Sequence, residues 1–150
     1  MTHLKKGDVA PHFTSKDQDG QTVSLSDFKG KKLVLFFYPR ANTPGCTAEA
    51  CNLRDNYSKL EENNYQVLGV SCDTQSKQLS FKEKKELPYS LLSDTDQKVV
   101  EAYGVFGEKK FMGKSYNGIF RTTFIIDENG IIEEVITDVK TKDHTNQILK

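Results

Sequence analysis

Leu33-Val34-Leu35-Phe36-Phe37-Tyr38 is apolar at every position. A strand with one wet face alternates apolar and polar residues, so this unbroken run predicts a strand buried on both sides, as in the middle of a parallel sheet. The residues beyond it fit that placement. Residues 44–60 carry a helical pattern, and Val67-Leu68-Gly69-Val70-Ser71-Cys72 make a second run of strand character. Strand, helix and strand in that order form a βαβ unit.

Toward the N-terminus, residues 13–16 and 22–25 flank Asp17-Gln18-Asp19-Gly20, a hairpin signal, and residues 26–30 form a short turn. Toward the C-terminus, a charged helix is predicted over residues 76–86, a short strand over 89–92 and a helical turn over 95–103. Residues 104–118 hold four glycines and no clear period, which predicts a surface loop. Residues 120–127 and 131–137 flank Glu128-Asn129-Gly130, an Asn-Gly hairpin turn. Residues 143–150 have room for about two turns of helix. The order β-α-β-α, then hairpin, then helix predicts an α/β thioredoxin-like fold. Its central mixed sheet is flanked by helices, with an N-terminal hairpin and an insertion before the last hairpin. No repeat, low-complexity tract or linker divides the chain, and ~150 residues is about one domain, so residues 1–150 are expected to form a single domain.

Lys and Arg number 21, Asp and Glu number 21, and the two signs are interleaved, giving zero formal net charge. Nucleic-acid binding normally leaves a basic excess, so no nucleic-acid partner is expected. The longest apolar run is far short of the ~20 residues of a membrane span, and no apolar stretch follows Lys5-Lys6 as it does in a secretory signal. With 36% hydrophobic and 28% charged residues and a mean hydropathy of −0.60, the expectation is a soluble, cytoplasmic protein with no membrane partner.

A chain of this length buries about 70% of its unfolded surface and needs no disulfide staples. Its three cysteines, an odd number, therefore point to catalysis or metal binding. Metal sites want paired ligands at short spacing, whereas His3, His12 and His144 are scattered and no Cys-x-x-Cys pair is present, so no metal is expected. Thr43-Pro44 is a helix start, with threonine as N-cap and its side-chain oxygen as the cap, and proline at the first helical position. Cys46 then sits third in the helix, where a capping box would place a carboxylate. Unpaired backbone N–H groups and the positive helix end there favour an ionised, nucleophilic sulfur. At 100° per residue, Cys46, Ala50, Leu53, Tyr57 and Leu60 share an apolar stripe, while Cys51 falls with Thr47, Arg54, Asp55 and Ser58 on the polar side. Cys51 lies about 7.5 Å further along the axis and faces away. A disulfide needs Cα atoms about 4.4–6.8 Å apart, so these two cannot bond while the helix is intact. Taken alone, a helical cysteine is an ordinary small buried residue; the Thr-Pro-Gly setting favours the reactive reading for Cys46. Cys72 closes the second run and reads as a structural small residue, with a role as alternative partner for Cys46 the minor option.

Phe37-Tyr38-Pro39, Thr43-Pro44-Gly45-Cys46-Thr47, Cys51-Asn52-Leu53-Arg54-Asp55, Leu91-Leu92-Ser93-Asp94, Gly107-Glu108-Lys109, Gly113-Lys114 and Arg121-Thr122-Thr123-Phe124-Ile125-Ile126-Asp127 resemble the peroxiredoxins, and within them the bacterioferritin comigratory protein, or peroxiredoxin Q, subfamily. The resemblance covers nearly the whole chain, and its Pro-x-x-x-Thr-x-x-Cys motif is specific. It implies that Cys46 is the peroxidatic cysteine, that Cys51 resolves it through an intramolecular disulfide, and that Thr43 positions thiolate and peroxide. Pro39 would shield the pocket and Arg121 would complete the site. The implied activity is reduction of hydrogen peroxide and organic hydroperoxides in antioxidant defence, with no cofactor, and with thioredoxin, or in some members glutaredoxin, as reductant. The implied assembly is a monomer, with a dimer as the alternative. Phe106, Phe111 and Met112 have two readings, as pocket lining or as core cover. The rivals are a thiol–disulfide oxidoreductase of the same fold, which would place its first cysteine where Thr43 stands, and a copper- or zinc-carrying module built on Cys46, Cys51 and a histidine.

Overall fold

The computed structural model describes residues 2–150. Its elements, in chain order, are β1 (Thr14–Lys16), β2 (Thr22–Ser24), a 3-10 turn (Leu25–Phe28), β3 (Lys32–Phe37), α1 (Pro44–Asp55), α2 (Tyr57–Glu62), β4 (Tyr65–Ser71), α3 (Gln75–Lys84), β5 (Ser90–Ser93), α4 (Lys98–Ala102), β6 (Phe106–Phe111), β7 (Lys114–Ile119), β8 (Thr122–Ile126), β9 (Ile132–Ile136) and α5 (His144–Ile148). Among the described residues, no helix is long and apolar enough to cross a membrane.

The run 33–38 is apolar throughout because β3 is the middle strand of a five-stranded mixed sheet, ordered β5-β4-β3-β8-β9. It pairs in parallel with β4 and antiparallel with β8, and β4 pairs in parallel with β5. Side chains alternate across a strand, so its residues divide between two cores. Leu33, Leu35 and Phe37 join Leu68, Val70, Val100, Tyr103 and Phe124 on one face. Val34, Phe36 and Tyr38 join Cys46, Ala50, Leu53, Leu60, Phe81 and Leu91 on the other. Helices α1, α2, α3 and α5 contribute to the second face and α4 to the first, which is the thioredoxin-like arrangement expected.

Both sheet edges are covered. The side-chain carbonyl of Gln18, in the β1–β2 turn, accepts the Leu91 amide at 3.0 Å, and Asp17 bridges to Leu92, so the hairpin closes the β5 edge. The N-terminal segment closes the other through Gly7 N–H to Ile132 O and Ile132 N–H to Asp8 O, both 2.8 Å. An uncovered edge would be a template for aggregation.

Two elements differ from the sequence expectation. Residues 104–118 hold a hairpin rather than a loop: β6 and β7 pair from Phe106 with Ile119 to Phe111 with Lys114. Met112 (φ 52°) and Gly113 (φ 77°) make a two-residue turn with both φ values positive. That geometry matches the strand twist, but its usual signature is Asn-Gly or Asp-Gly, and the strands are mostly polar, so neither cue was present. The helix over 44–60 is also broken in two. The Asn56 side-chain amide donates to the Asn52 carbonyl at 2.8 Å, competing with the main-chain ladder, and its own backbone N–H turns to Arg54 O. Smaller shifts are end effects: the helix over 95–103 contracts to α4, and Cys72 lies one residue past β4.

Gly69 sits between Phe36 and Leu91 in the sheet. A Cβ there would come within 2.8 Å of Leu91 Cδ2 and 2.9 Å of Phe36 Cζ, and the Phe36 ring is already held by Tyr38 (5.4 Å, stacked) and Tyr89 (5.7 Å, edge-on). Gly69→Ala is expected to cost about 1–3 kcal/mol by overpacking, measured as a lower urea midpoint with an unchanged slope.

Candidate active site

The chain leaves β3 at Tyr38 and must turn over a few residues to begin α1. Pro39 opens that turn, and Asp73 anchors it: one carboxylate oxygen accepts from the Ala41 amide and from the Ser71 hydroxyl, both at 2.7 Å. Asn42 takes a left-handed conformation at φ 63°, which asparagine tolerates better than most residues. Helix α1 then starts with Thr43 at the N-cap and Pro44 at the first position. The side chain of Thr43 does not cap the helix, contrary to the sequence expectation. Its hydroxyl instead donates to Arg40 O at 2.8 Å, which satisfies the loop carbonyl and leaves the Oγ1 lone pairs free. The main-chain bond from Thr47 N–H to Thr43 O, 2.8 Å, closes the first turn, and the amides of Gly45 and Cys46 stand ahead of it.

Cys46 is 1% exposed and packs with Ala50, Leu53 and Leu60; Cys51 is half-buried. The two lie on the different faces expected from helical periodicity, and both are free thiols, as is Cys72. Arg121, one residue before β8, reaches across to Cys46: Nη2 lies 3.3 Å from Sγ. Its Nη1 donates to Glu49 Oε1 at 2.7 Å. Gly45 makes this approach possible, since a Cβ there would sit 3.2 Å from Arg121 Nη2. Pro39, Thr43, Cys46, Lys109, Phe111 and Arg121 line one cleft of about 640 Å³, and Phe106 and Cys72 also border it. The five site residues named from the sequence therefore separate: Cys46, Thr43, Arg121 and Pro39 share the cleft, and Cys51 does not line it. Phe106 and Phe111 border the cleft, whereas Met112 is 87% exposed and covers neither cleft nor core. A second cavity of about 290 Å³, between Phe28 and the β8–β9 turn, contains no cysteine.

Two cations stand near this sulfur. Burial works against the charge on Arg121, but the Cys46 sulfur and the Glu49 carboxylate outweigh it and hold the guanidinium above its ordinary pKa. Lys109 adds a second cation; its Nζ donates to Ile119 O at 2.9 Å. Burial and the neighbouring Arg121 charge pull it below its usual value, while Cys46 pulls it back up. Cys72 is the opposite case: burial, then the carboxylates of Asp94, Asp73, Asp96 and Glu101, push its thiol up to about 12. A thiol so far from ionisation is a poor nucleophile at neutral pH.

Sequence reasoning missed Glu49 and Lys109. Lys109 stands in the Gly107-Glu108-Lys109 stretch that carries the family resemblance, but it lies in a segment read as loop and the resemblance gives it no role. Glu49 had a local signal: offset three residues from Cys46 and four from Leu53, it falls on the apolar stripe, and a carboxylate there is buried unless the helix turns. It is 0% exposed, and burial pushes its pKa up to about 7 against the opposing pull of Arg121.

A carboxyl whose pKa rises on folding favours the folded state fully below its unfolded value, and that advantage is lost as pH rises through the folded value. For Glu49 the window runs from 4.5 to about 7. Glu49→Gln removes the dependence. Denaturant unfolding of both proteins is expected to show the variant gaining up to about 3 kcal/mol on wild type across that window.

The sequence profile of the AhpC/TSA family matches residues 6–135. The chain is 50% identical over 149 residues to peroxiredoxin Bcp of Escherichia coli K12, covering 99% of this chain and 96% of that protein. Among solved structures, a mutant of PrxQ from Xylella fastidiosa superposes with a TM-score of 0.92 at 32% identity, covering 99% of this chain and 95% of that one. The bacterioferritin comigratory protein of Xanthomonas campestris, described for its alkyl peroxide reduction activity, superposes with a TM-score of 0.85 at 29% identity over 91% of this chain and 87% of that one. The chain belongs to the AhpC/TSA family and is a peroxiredoxin of the Bcp and PrxQ type, a thiol peroxidase.

Proposed function

We propose that Cys46 is the peroxidatic sulfur, that Cys51 resolves it, and that an external dithiol of the thioredoxin kind completes the cycle. The contact of 3.3 Å between Arg121 and the buried Cys46 Sγ, at the first turn of α1, carries this reading. Attack on a hydroperoxide forms an S–O bond and breaks the O–O bond, so negative charge leaves sulfur and gathers on the departing oxygen. Fixed donors aimed at both atoms lower that barrier more than they stabilise the reactants. The guanidinium, the amides of Gly45 and Cys46, and Lys109 provide such donors. Thr43 Oγ1, whose hydrogen is committed to Arg40 O, accepts the peroxide O–H and orients it. Pro39 walls the cleft. The products are water or an alcohol and a sulfenic acid on Cys46.

The Cys51 thiol then attacks the sulfenic sulfur, releasing water and forming the disulfide. The separation of about 7.5 Å along α1, on opposite faces, forbids this in the folded helix, so the first turns unwind. An external dithiol reopens the bond by exchange, taking two electrons from the reductant. Hydrogen peroxide and alkyl hydroperoxides both fit: the reacting end needs only the Arg121 and Thr43 groups, and Phe106 and Phe111 offer an alkyl chain an apolar wall. The description of the Xanthomonas campestris protein favours including alkyl peroxides. The zero net charge suits a neutral substrate, and a cytoplasmic setting suits a resting state with three free thiols.

Reduced protein mixed with one equivalent of hydrogen peroxide is expected to lose two thiols rapidly. Cys46→Ser abolishes the reaction, and Cys51→Ser stops at a sulfenic acid that dimedone traps. Thiol loss at the rate of an ordinary cysteine would overturn the reading, and disulfide formation unaffected by Cys51→Ser would move the resolving role to Cys72 or to a second chain. Arg121→Gln is expected to slow the first step about 100-fold, and Gly45→Ala, which displaces the guanidinium, about tenfold.

A further inference from the structure

One buried polar atom is left over by the site as described. Glu49 Oε1 is taken by Arg121, but Glu49 Oε2 is shielded from solvent and has no hydrogen-bond partner among the described residues. Such orphans are uncommon in folded proteins and call for a physical explanation. The atom facing it is Nε2 of His144, 3.4 Å away and 0% exposed on α5.

The surrounding hydrogen bonds fix what His144 can offer. The side-chain oxygen of Gln147 accepts the Lys140 amide at 2.9 Å, and its nitrogen donates to Asp138 O at 2.9 Å. The Gln147 amide is thereby oriented, and its oxygen lies 2.7 Å from His144 Nδ1. An oxygen already acting as acceptor requires Nδ1 to be the protonated nitrogen. In the neutral ring Nε2 is then bare, and the Thr123 hydroxyl lies 2.8 Å from it, free to accept when Nε2 is engaged with a proton from Glu49. A bare nitrogen and an ionised carboxylate oxygen at 3.4 Å in a dry site repel each other unless one of them carries a proton.

We propose that His144 is a positioning residue for the peroxide reaction: Nε2 of His144 and Oε2 of Glu49 hold one proton between them, and that proton keeps the Arg121 charge directed at Cys46. The inference rests on Cys46 being the sulfur that attacks peroxide. With the proton in place, the Cys46 thiolate, the Arg121 guanidinium and the Glu49–His144 pair sum to zero. Without it the same set carries one negative charge, Arg121 is divided between sulfur and carboxylate, and the donor power at the departing oxygen falls. The other groups facing the pair are Thr123 on β8 and Tyr89, whose phenol donates to Ala50 O on α1 at 2.7 Å; Lys109 on β6 faces Arg121 and the sulfur instead. Burial holds the Tyr89 phenol well above its ordinary value. Burial pulls His144 below its usual value, with Gln147 opposing and Arg121 reinforcing that pull, so the proton resides mainly on the carboxyl, whose own pKa is about 7.

The test follows the Cys46 reaction with hydrogen peroxide by rapid quench from about pH 5 to about pH 9, alongside the protonated-carboxyl stretch of Glu49 in infrared difference spectra. Wild type is expected to show a fall of about threefold or more near neutral pH, with the infrared band vanishing over the same range. Glu49→Gln loses both the band and the fall. His144→Gln, which can donate to Oε2 but cannot take its proton, favours the carboxylate and moves both midpoints down by about half a pH unit or more; His144→Phe, which leaves the carboxyl no polar partner, moves them up. The opposite shifts exclude a merely structural histidine, and melting curves establish that each variant is folded. Midpoints unmoved by both His144 substitutions, or a fall that persists in Glu49→Gln, would overturn the proposal. A wild-type Cys46 that ignores peroxide would refute the peroxidatic reading instead, while the infrared band would still report on the shared proton.

Discussion

On the proposed reading, everything at this site answers to one constraint: a sulfur buried at the first turn of α1 has to exist as an anion at the moment of reaction. Burying an unpaired charge is prohibitive, and a helix N-terminus offers only about half a unit of compensation. The remainder comes from Arg121, which is brought from the far side of the sequence because β8 lies directly beside β3 in the sheet. The antiparallel pairing of Phe37 with Thr122 places the start of β8 next to the end of β3, where the loop to α1 begins. Sheet register is therefore what sets the distance from guanidinium to sulfur, and the apolar residues that fix the register are part of the chemistry.

A permanent cation half-buried beside a thiol has its own cost. Arg121 needs a partner in both redox states, including those in which the sulfur carries no charge, and Glu49 supplies it from the same helix one turn later. The arrangement explains why a carboxyl appears on an apolar stripe. It also explains why α5 matters despite its five residues: His144 and Gln147 close the space around Glu49, and Thr145 binds Asn52 through both main-chain and side-chain contacts at 2.8 Å. The short C-terminal helix acts as the lid of a polar pocket more than as a contributor of apolar area.

The parts legible in the sequence were those governed by local rules. Apolar continuity in residues 33–38 announced the central strand, Thr43-Pro44 announced the helix start, and the period of α1 separated Cys46 from Cys51. The illegible parts depended on contacts distant along the chain. Arg121 is one charge ahead of a strand, and only the likeness to known peroxiredoxins singled it out; a guanidinium carries no mark of what it will face. The β6–β7 hairpin lacked apolar alternation because it stands outside the main sheet and has little core to cover. Its one function in the fold, presenting Lys109 and two phenylalanines to the cleft, is a tertiary relation without a sequence signature. The Thr43 hydroxyl was misplaced for a related reason. The capping rule assumes that the helix N–H groups are its best partners, but here the carbonyl of Arg40 competes for it.

Helix α1 has two duties that pull against each other. To activate Cys46 its first turn must be rigid to within a fraction of an ångström, yet the proposed resolution step needs that turn to come apart. The contacts divide along the same line. The first turn is held mainly by Arg121, whose attraction to Cys46 depends on sulfur charge and weakens once the sulfur becomes a neutral sulfenic acid. The distal half is held by contacts that oxidation leaves untouched: Asn52 with α5, Tyr89 with Ala50 O, and Arg54 with Lys85 O at 2.7 Å. At about 1 kcal/mol for each net hydrogen bond, more for a charged one, these are too many to surrender together at little cost, whereas the first turn loses its chief restraint through the reaction itself. In the proposed cycle local unfolding is then coupled to chemistry, and the peroxide-competent helix is stable for as long as its sulfur is reduced.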